Sequence, residues 1–313
     1  MTLPWLREVP ETVVGDLVAG KRTLIDIDCS SSIAQTLECL RIHNILSVPV
    51  FGKKGGWIGS GGVEVIVGEK QYIGIASVVD ILSYMFGNPS RTVEEALSKP
   101  ISQVLGSTDE SLCLWVEPTD RPLLYVCEAL GKGVHRVLVT DEGSQTCRLL
   151  SQTDVIKFLV THSTALPHLR EVFSRPVSTI SAVHDPLVFV NINDSIKDGI
   201  EGMLRHRVSG VPVVNDAGVL VSQLSTSDFR SVFNLALGAL ADISVRDFML
   251  STRSGFVIDP IVCDDTTTIG EAVQKMLLNR VHRIWIRESS NSKALSVVTF
   301  TDVIAAAFSA AEE

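Results

Sequence analysis

The sequence predicts an α+β fold built from four repeated units, each with the order strand, helix, strand, strand, helix. The first observation behind this prediction is a fixed interval: four aspartates, each closing a Ser/Thr-x-x-Asp step, lie 74 residues apart, at Asp80, Asp154, Asp228 and Asp302. The second is that each step follows apolar segments of helical and then strand-like spacing. The third is a set of turn-forming residues, above all 162–167, that interrupts the periodic segments.

The elements of each repeat follow from local periodicity. In the fourth repeat an amphipathic helix is predicted at 269–277, followed by strands at 281–286 and 294–298. The third repeat has a helix at 196–204 and strands at 211–214 and 220–224. In the second repeat a helix at 123–130 precedes a strand at 134–139, and in the first a helix at 33–40 precedes a strand at 48–51. Each Ser/Thr-x-x-Asp step then predicts the start of a closing helix.

A unit of this size buries too little surface to be stable alone, so we expect the repeats to pair. The breakers divide the chain near residue 164 into two modules, residues 1–163 and 164–313. The repeats are predicted at about 14–87, 100–162, 176–237 and 243–310. Short docking helices are expected at 14–17 and 245–249.

The first repeat carries an insertion at 52–70, because Pro49 and Asp80 are 31 residues apart whereas Pro212 and Asp228 are 16 apart. The insertion is rich in glycine but lacks the Gly-x-x-x-x-Gly-Lys-Ser/Thr pattern of a phosphate-binding loop. Its continuation, residues 63–67, alternates like a strand. We therefore predict an extended hairpin.

Composition excludes several classes of protein. The net charge of −9 argues against a nucleic-acid partner. We expect no membrane span and no signal peptide in residues 1–21. The six cysteines show no C-x-x-C spacing, which favours reduced thiols in a cytoplasmic or nuclear protein over disulfides or a zinc site.

The Ser/Thr-x-x-Asp steps have two interpretations. In one they are helix capping boxes, each contributing about 1 kcal/mol. In the other, the carboxylate also accepts hydrogen bonds from a ribose cis-diol, while neighbouring hydroxyls and free N–H groups face phosphate. The two roles are compatible.

A His-Arg pair occurs at the middle strand of alternate repeats: His135-Arg136 in the second and His282-Arg283 in the fourth. A guanidinium among apolar strand residues is costly unless an anion or carboxylate meets it. We therefore predict that the pairs converge on phosphate. In the alternative, the arginines lie at a rim and the histidines are hydrogen-bonded core residues.

With these motifs, the chain resembles tandem CBS (cystathionine β-synthase) domain proteins, specifically the γ regulatory subunit of AMP-activated protein kinase and its plant γ-like counterparts. The resemblance spans residues 10–310 and is carried by the Ser/Thr-x-x-Asp steps, 134–139, 205–214 and 281–284. It implies CBS motifs paired into two Bateman modules that form a pseudo-symmetric disk, with adenine nucleotides bound in clefts.

Carried over residue by residue, the resemblance implies these nucleotide-binding residues: Asp302, Thr301, Thr299, Asp228, Ser225, Ser227, Asp154, Thr153, Asp80, His135, Arg136, His282, Arg283 and Arg207. The fourth repeat is the fullest match. The second keeps Asp154 where animal γ subunits carry a basic residue. The first is the weakest, with Leu46 where the animal proteins place a phosphate-binding arginine.

The function that the resemblance implies is that of a non-catalytic regulatory subunit, with AMP, ADP or ATP as regulatory ligand and no catalytic cofactor. Its implied partners are a Ser/Thr kinase catalytic α-type subunit and a β-type scaffold subunit, and a homodimer through CBS modules is compatible with it. Two alternatives stay open: a γ-like scaffold that has lost nucleotide binding, and a CBS sensor of another adenosyl ligand such as S-adenosylmethionine. No nucleophile, base or metal-ligand set indicates an enzyme.

Overall fold

The computed structural model describes residues 12–53, 65–88, 90–108, 111, 114–141, 143, 146–181, 187–231, 243–287 and 293–308. Contacts between Cα atoms group the chain into two compact units. The 2/4 unit, which holds the second and fourth repeats, comprises residues 1–24, 115–187 and 261–313. The 1/3 unit, which holds the first and third repeats, comprises residues 25–114 and 188–260.

The 2/4 unit contains two three-stranded sheets and six helices in its described part. Each sheet has a parallel and an antiparallel strand pair around its central strand. Its elements are α1 (Val14–Val18), β5 (Val116–Pro118), α5 (Leu123–Gly131), β6 (Arg136–Asp141), β7 (Thr146–Ser151), α6 (Gln152–His162), α7 (Pro167–Ser174), β11 (Val262–Cys263), α10 (Ile269–Leu278), β12 (Arg283–Arg287), β13 (Ala294–Thr299) and α11 (Phe300–Phe308).

The 1/3 unit contains a four-stranded sheet in the order β1-β2-β4-β3, a three-stranded sheet in the order β10-β9-β8, and five helices in its described part. Its elements are β1 (Ile27–Asp28), α2 (Ile33–His43), β2 (Ser47–Lys53), β3 (Val65–Val67), β4 (Lys70–Ser77), α3 (Val78–Phe86), α4 (Val93–Ser98), β8 (Val190–Asn191), α8 (Ile196–Arg205), β9 (Gly210–Val214), β10 (Leu220–Ser225) and α9 (Val245–Thr252).

The predicted order of elements is present in all four repeats, and the predicted docking helices are α1 and α9. After the third Ser/Thr-x-x-Asp step, the described residues Thr226–Ser231 form a 3-10 helix. In the insertion, β3 pairs antiparallel with β4, as a hairpin requires. Residues 54–64 lie outside the described part of the chain.

The two compact units combine alternate repeats, whereas the predicted modules, residues 1–163 and 164–313, combine consecutive ones. The contacts do not follow the division near residue 164 because the apolar helix faces of alternate repeats share one core. In the 2/4 unit, Val126, Leu130, Val303 and Ile304 are buried in the same cluster. The helices α5 and α11 approach so closely that a Cβ on Gly131 would lie 3.1 Å from the Ala305 Cα. The pairing of consecutive repeats and the disk stay predictions.

Most of the described cysteines lie in the core. Of the described cysteines, Cys127, Cys147 and Cys263 are buried, and none of the five described cysteines forms a disulfide. Burial raises the pKa of the Cys127 thiol, and it raises that of Cys263 to about 11. Such thiols are poor nucleophiles at neutral pH. No helix in the described ranges is long and apolar enough to cross a membrane.

The first helix of every repeat ends in a left-handed residue, with φ of 54° at Asn44, 102° at Gly133, 53° at Arg207 and 54° at Arg280. In each case the next backbone N–H returns to a carbonyl five residues earlier, for example Val281 to Met276 at 3.0 Å. This turn directs the chain from the helix into the middle strand. An L-residue with a side chain pays a steric penalty in this conformation that glycine avoids.

We expect Arg280→Gly to stabilise the protein by about 0.5–1 kcal/mol, since relief of the left-handed strain outweighs the extra freedom of glycine in the unfolded chain. The reverse change, Gly133→Arg, should destabilise it by a similar amount. Urea unfolding of both variants measures the effect. A destabilised Arg280→Gly variant would contradict this account of the turn.

Candidate functional site

All four acidic helix starts show the carboxylate half of the predicted capping box. In every repeat, one carboxylate oxygen of the aspartate, Oδ2, accepts from the backbone N–H of the Ser or Thr three residues earlier. The N···O distances are 2.8 Å for Ser77, Ser151 and Ser225 and 2.7 Å for Thr299. Each carboxylate is thus held at the start of its helix, where the helix dipole favours negative charge.

The strand register places each His-Arg pair beside the acidic helix start of its own repeat. Arg136 lies directly opposite Ser151, and Arg283 directly opposite Thr299. The carbonyls of the histidines accept from the first helical N–H groups, His135 from Gln152 at 3.2 Å and His282 from Phe300 at 3.1 Å. In the first and third repeats, Ser47 and Gly210 occupy the positions opposite the cap.

The two His-Arg pairs converge within the 2/4 unit. The pKa of His282 is lowered to about 4, first by loss of hydration and then by the positive charges of Arg136, Arg283 and His135. The ring is nonetheless accessible to solvent, and it contacts Phe300 edge-on at a centroid distance of 5.5 Å. Arg136 and Arg283 are half-buried.

A hydrogen bond joins the two helix starts of this unit. The Gln152 amide donates to Thr301 Oγ1 at 2.9 Å and to the Leu130 carbonyl at 3.0 Å. Gln152 is buried, and sequence reasoning missed its role. The signal in the sequence was a polar residue at a position where the first and fourth repeats have the apolar residues Val78 and Phe300.

Asp302 and Asp154 are both half-buried at this place, but their surroundings differ. Asp302 Oδ2 accepts from the backbone N–H and the hydroxyl of Thr299, both at 2.7 Å. Asp154 Oδ2 accepts from the equivalent groups of Ser151 and also from Lys21 Nζ at 2.6 Å. Lys21 was not among the predicted site residues. Thr153, half-buried, lies on the first turn of α6.

In the third repeat, an arginine of the same unit forms an ion pair with the aspartate. Asp228 Oδ1 accepts from Arg253 Nη2 at 2.8 Å and Nε at 3.1 Å. The side chains of Asp228 and Arg253 are only 14% and 11% exposed. The hydroxyls of Ser225 and Ser227 are hydrogen-bonded to each other at 2.6 Å. Arg207 lies exposed in the left-handed turn after α8.

In the first repeat the aspartate is buried. Asp80 is 1% exposed, Ser77 donates to its Oδ2, and the Thr108 hydroxyl donates to its Oδ1. A carboxylate in this state has no exposed oxygen for a sugar. Nucleotide binding by Asp80 stays a prediction, and it requires the Thr108 hydroxyl to leave the carboxylate oxygen that it now contacts.

The predicted site residues are thus divided between the two units. The 2/4 unit holds both His-Arg pairs and the hydroxyl-rich helix starts, namely His135, Arg136, Thr153, Asp154, His282, Arg283, Thr299, Thr301 and Asp302. The 1/3 unit holds Asp80, Arg207, Ser225, Ser227 and Asp228. The 2/4 unit combines clustered positive charge with carboxylate and hydroxyl groups, a set suited to a phosphorylated sugar.

Comparison with known proteins finds similarity to CBS-domain proteins. A family model for the CBS domain matches residues 177–234 and 245–309. Two Arabidopsis thaliana proteins are 25% identical to the chain: SNF1-related protein kinase regulatory subunit gamma-like PV42b, over 95% of this chain and 94% of that protein, and PV42a, over 92% of each. Protein MJ1225 from Methanocaldococcus jannaschii, a proposed archaeal homologue of the AMP-activated kinase γ subunit, has the same fold, with a TM-score of 0.72 at 15% identity over 94% of this chain and 99% of that chain.

Proposed function

We propose that this chain, which carries CBS domains and resembles γ-like regulatory subunits of SNF1-related kinases, is a non-catalytic regulatory subunit that binds adenine nucleotides in its 2/4 unit. The observation that carries the proposal is the clustering of His135, Arg136, His282 and Arg283 in the 2/4 unit, with His282 exposed to solvent. The adenine base is inferred from the family resemblance, and the sugar and phosphate from the chemistry of the site.

The electrostatics favour an anion at this surface. Arg136, Arg283 and His135 lie close enough to His282 to lower its pKa. The four basic side chains therefore repel one another in the absence of an anion. A phosphate offsets that repulsion and accepts several charge-assisted hydrogen bonds from the guanidinium groups. The nearby carboxylate of Asp302 suits a ribose cis-diol.

As a regulatory subunit, the protein acts through linkage. If a partner binds differently to the nucleotide-bound and nucleotide-free forms, nucleotide changes partner affinity by the same factor as the partner changes nucleotide affinity. We propose as partners a Ser/Thr kinase α-type catalytic subunit and a β-type scaffold subunit, in the cytoplasm or nucleus. A homodimer is a second assembly to be tested.

The main alternative is a γ-like interaction scaffold that no longer binds nucleotide. The observation that favours it is that side chains of the protein itself contact two of the carboxylates: Thr108 donates to Asp80, and Arg253 forms an ion pair with Asp228. A CBS sensor of a different adenosyl ligand is the other alternative. The clustered arginines argue against it, because a ligand without phosphate has little use for two guanidinium groups.

Calorimetric titration with AMP, ADP, ATP and S-adenosylmethionine tests the proposal. We expect binding of at least one nucleotide, weakened about tenfold or more by Asp302→Ala and by Arg283→Ala. Each change removes charge-assisted hydrogen bonds that contribute roughly 1.5–3 kcal/mol, and about 1.4 kcal/mol corresponds to a factor of ten.

The matched control is Arg287→Ala, which removes the same charge from the exposed end of the same strand. Its affinity should equal that of the unaltered protein. If no ligand binds, the scaffold function replaces the proposal. If S-adenosylmethionine alone binds, the protein is an adenosyl sensor of another type.

A further inference from the structure

Each repeat is tied to a short docking element by a single β-bridge. The residue before the docking element pairs with the residue before the first helix of the repeat, in the pairs Pro100 with Ser32, Val13 with Pro122, Ser244 with Ser195 and Pro176 with Thr268. These bridges assign the 3-10 helix Ile101–Gln103 to the first repeat, α1 to the second, α9 to the third and the 3-10 helix Val177–Thr179 to the fourth. The arrangement is therefore the same in all four.

A side chain seven or eight residues beyond the start of the docking element reaches the acidic helix start of the same repeat. Thr108 donates to Asp80 in the first repeat, Lys21 to Asp154 in the second, and Arg253 to Asp228 in the third. The equivalent position of the fourth repeat falls within residues 182–186, outside the described part of the chain. Three different residue types thus make one recurring contact.

Lys21 is the member of this set that lies beside the proposed nucleotide site. Its ammonium donates to Asp154 Oδ2 at 2.6 Å and to the Leu149 carbonyl at 2.7 Å. Because Oδ2 also accepts from the Ser151 N–H and hydroxyl, at 2.8 and 2.7 Å, three donors surround one oxygen. A sugar hydroxyl cannot add to that oxygen while Lys21 stays in place.

We propose that Lys21 is an internal competitor that keeps nucleotide out of the second repeat. The inference rests on the proposed function and specifies which cleft of the 2/4 unit is closed. The second repeat has a carboxylate and a hydroxyl for a second sugar, namely Asp154 and Thr153, beside the basic cluster. The Lys21 ammonium instead takes one oxygen of the carboxylate, Oδ2, in an ion pair whose side chains are 31% and 19% exposed.

The test is the number of AMP molecules bound by calorimetry. We expect Lys21→Met to bind one more AMP per chain than the unaltered protein, and the double variant Lys21→Met with Asp154→Asn to lose that additional binding. Lys21→Arg retains the charge and the donor, so it should behave as the unaltered protein. Lys132→Met, which removes an exposed lysine of the same unit, is the matched control. Circular dichroism checks that each variant is folded.

The outcomes separate this inference from the proposed function. If the unaltered protein binds AMP and Lys21→Met binds the same number or fewer, Lys21 is not a competitor and the inference fails while the function stands. If the unaltered protein binds no AMP and Lys21→Met does, the inference stands and the proposed function of the unaltered protein fails. If neither binds, both fail. If Lys21→Met is unfolded, Lys21→Gln takes its place, since it removes the charge with a shorter polar side chain. An equal number of AMP molecules bound by Lys21→Gln and by the unaltered protein then overturns the inference.

Discussion

Replacement of Arg253 by methionine is expected to destabilise the protein by about 3 kcal/mol. Breaking a buried ion pair by removing one partner leaves an uncompensated charge, at a typical cost of roughly 3–5 kcal/mol. Arg253 and Asp228 meet this condition, because their side chains are 11% and 14% exposed. The guanidinium also donates to the Ser222 hydroxyl at 3.0 Å and the Gln223 carbonyl at 2.7 Å, so its loss leaves further acceptors unsatisfied.

Urea unfolding measures this effect, and a double-mutant cycle shows its origin. The double variant Arg253→Met with Asp228→Asn should be more stable than the sum of the single effects predicts, since it leaves no buried charge. Arg287→Met is the control: its side chain is 45% exposed and lies 4.0 Å from Asp264, so its loss should cost less than about 1 kcal/mol. A loss at Arg253 as small as that at Arg287 would show that this pair does not stabilise the third repeat.

Local patterns in the sequence were sufficient to predict the four repeats and the acidic helix starts. The capping boxes depend on residues three apart, and the amphipathic helices on spacings of three and four, so both are encoded over a few residues. The His-Arg pairs are equally local.

The contacts that distinguish one acidic helix start from another were not predictable in this way. Lys21 and Asp154 are 133 residues apart, and the residue type that reaches the carboxylate changes from Lys to Thr to Arg between repeats. No motif marks these residues, because a side chain of any type with a donor can fill the position. The pairing of alternate repeats also escaped prediction, since it depends on which apolar helix faces fit together.

If two His-Arg pairs surround one phosphate position, the pKa of His282 should report on it directly. In the nucleotide-free protein this pKa is lowered to about 4, below the ordinary value near 6.5, by burial and by the charges of Arg136, Arg283 and His135. The imidazole is therefore neutral at pH 7. A bound phosphate favours the charged imidazolium and should raise the pKa by one unit or more.

The sign of the pH dependence follows. Between about pH 4 and 6.5 the unfolded chain binds more protons at this histidine than the folded chain does, so the contribution of His282 to stability is lost as the pH falls through that window. Nucleotide binding opposes the loss, because the complex takes up a proton. Arg136→Met should raise the pKa of His282 in the free protein, since it removes one of the positive charges that lower it.

The most direct measurement is an NMR titration of the His282 ring in the unaltered protein, in Arg136→Met and in Arg287→Met, each with and without AMP. We expect a pKa near 4 in the free protein, a higher value in Arg136→Met, no change in Arg287→Met, and a rise on addition of AMP. A His282 ring that titrates near pH 6.5 in the free protein and does not respond to Arg136→Met or to AMP would contradict the convergence of the two pairs on a phosphate.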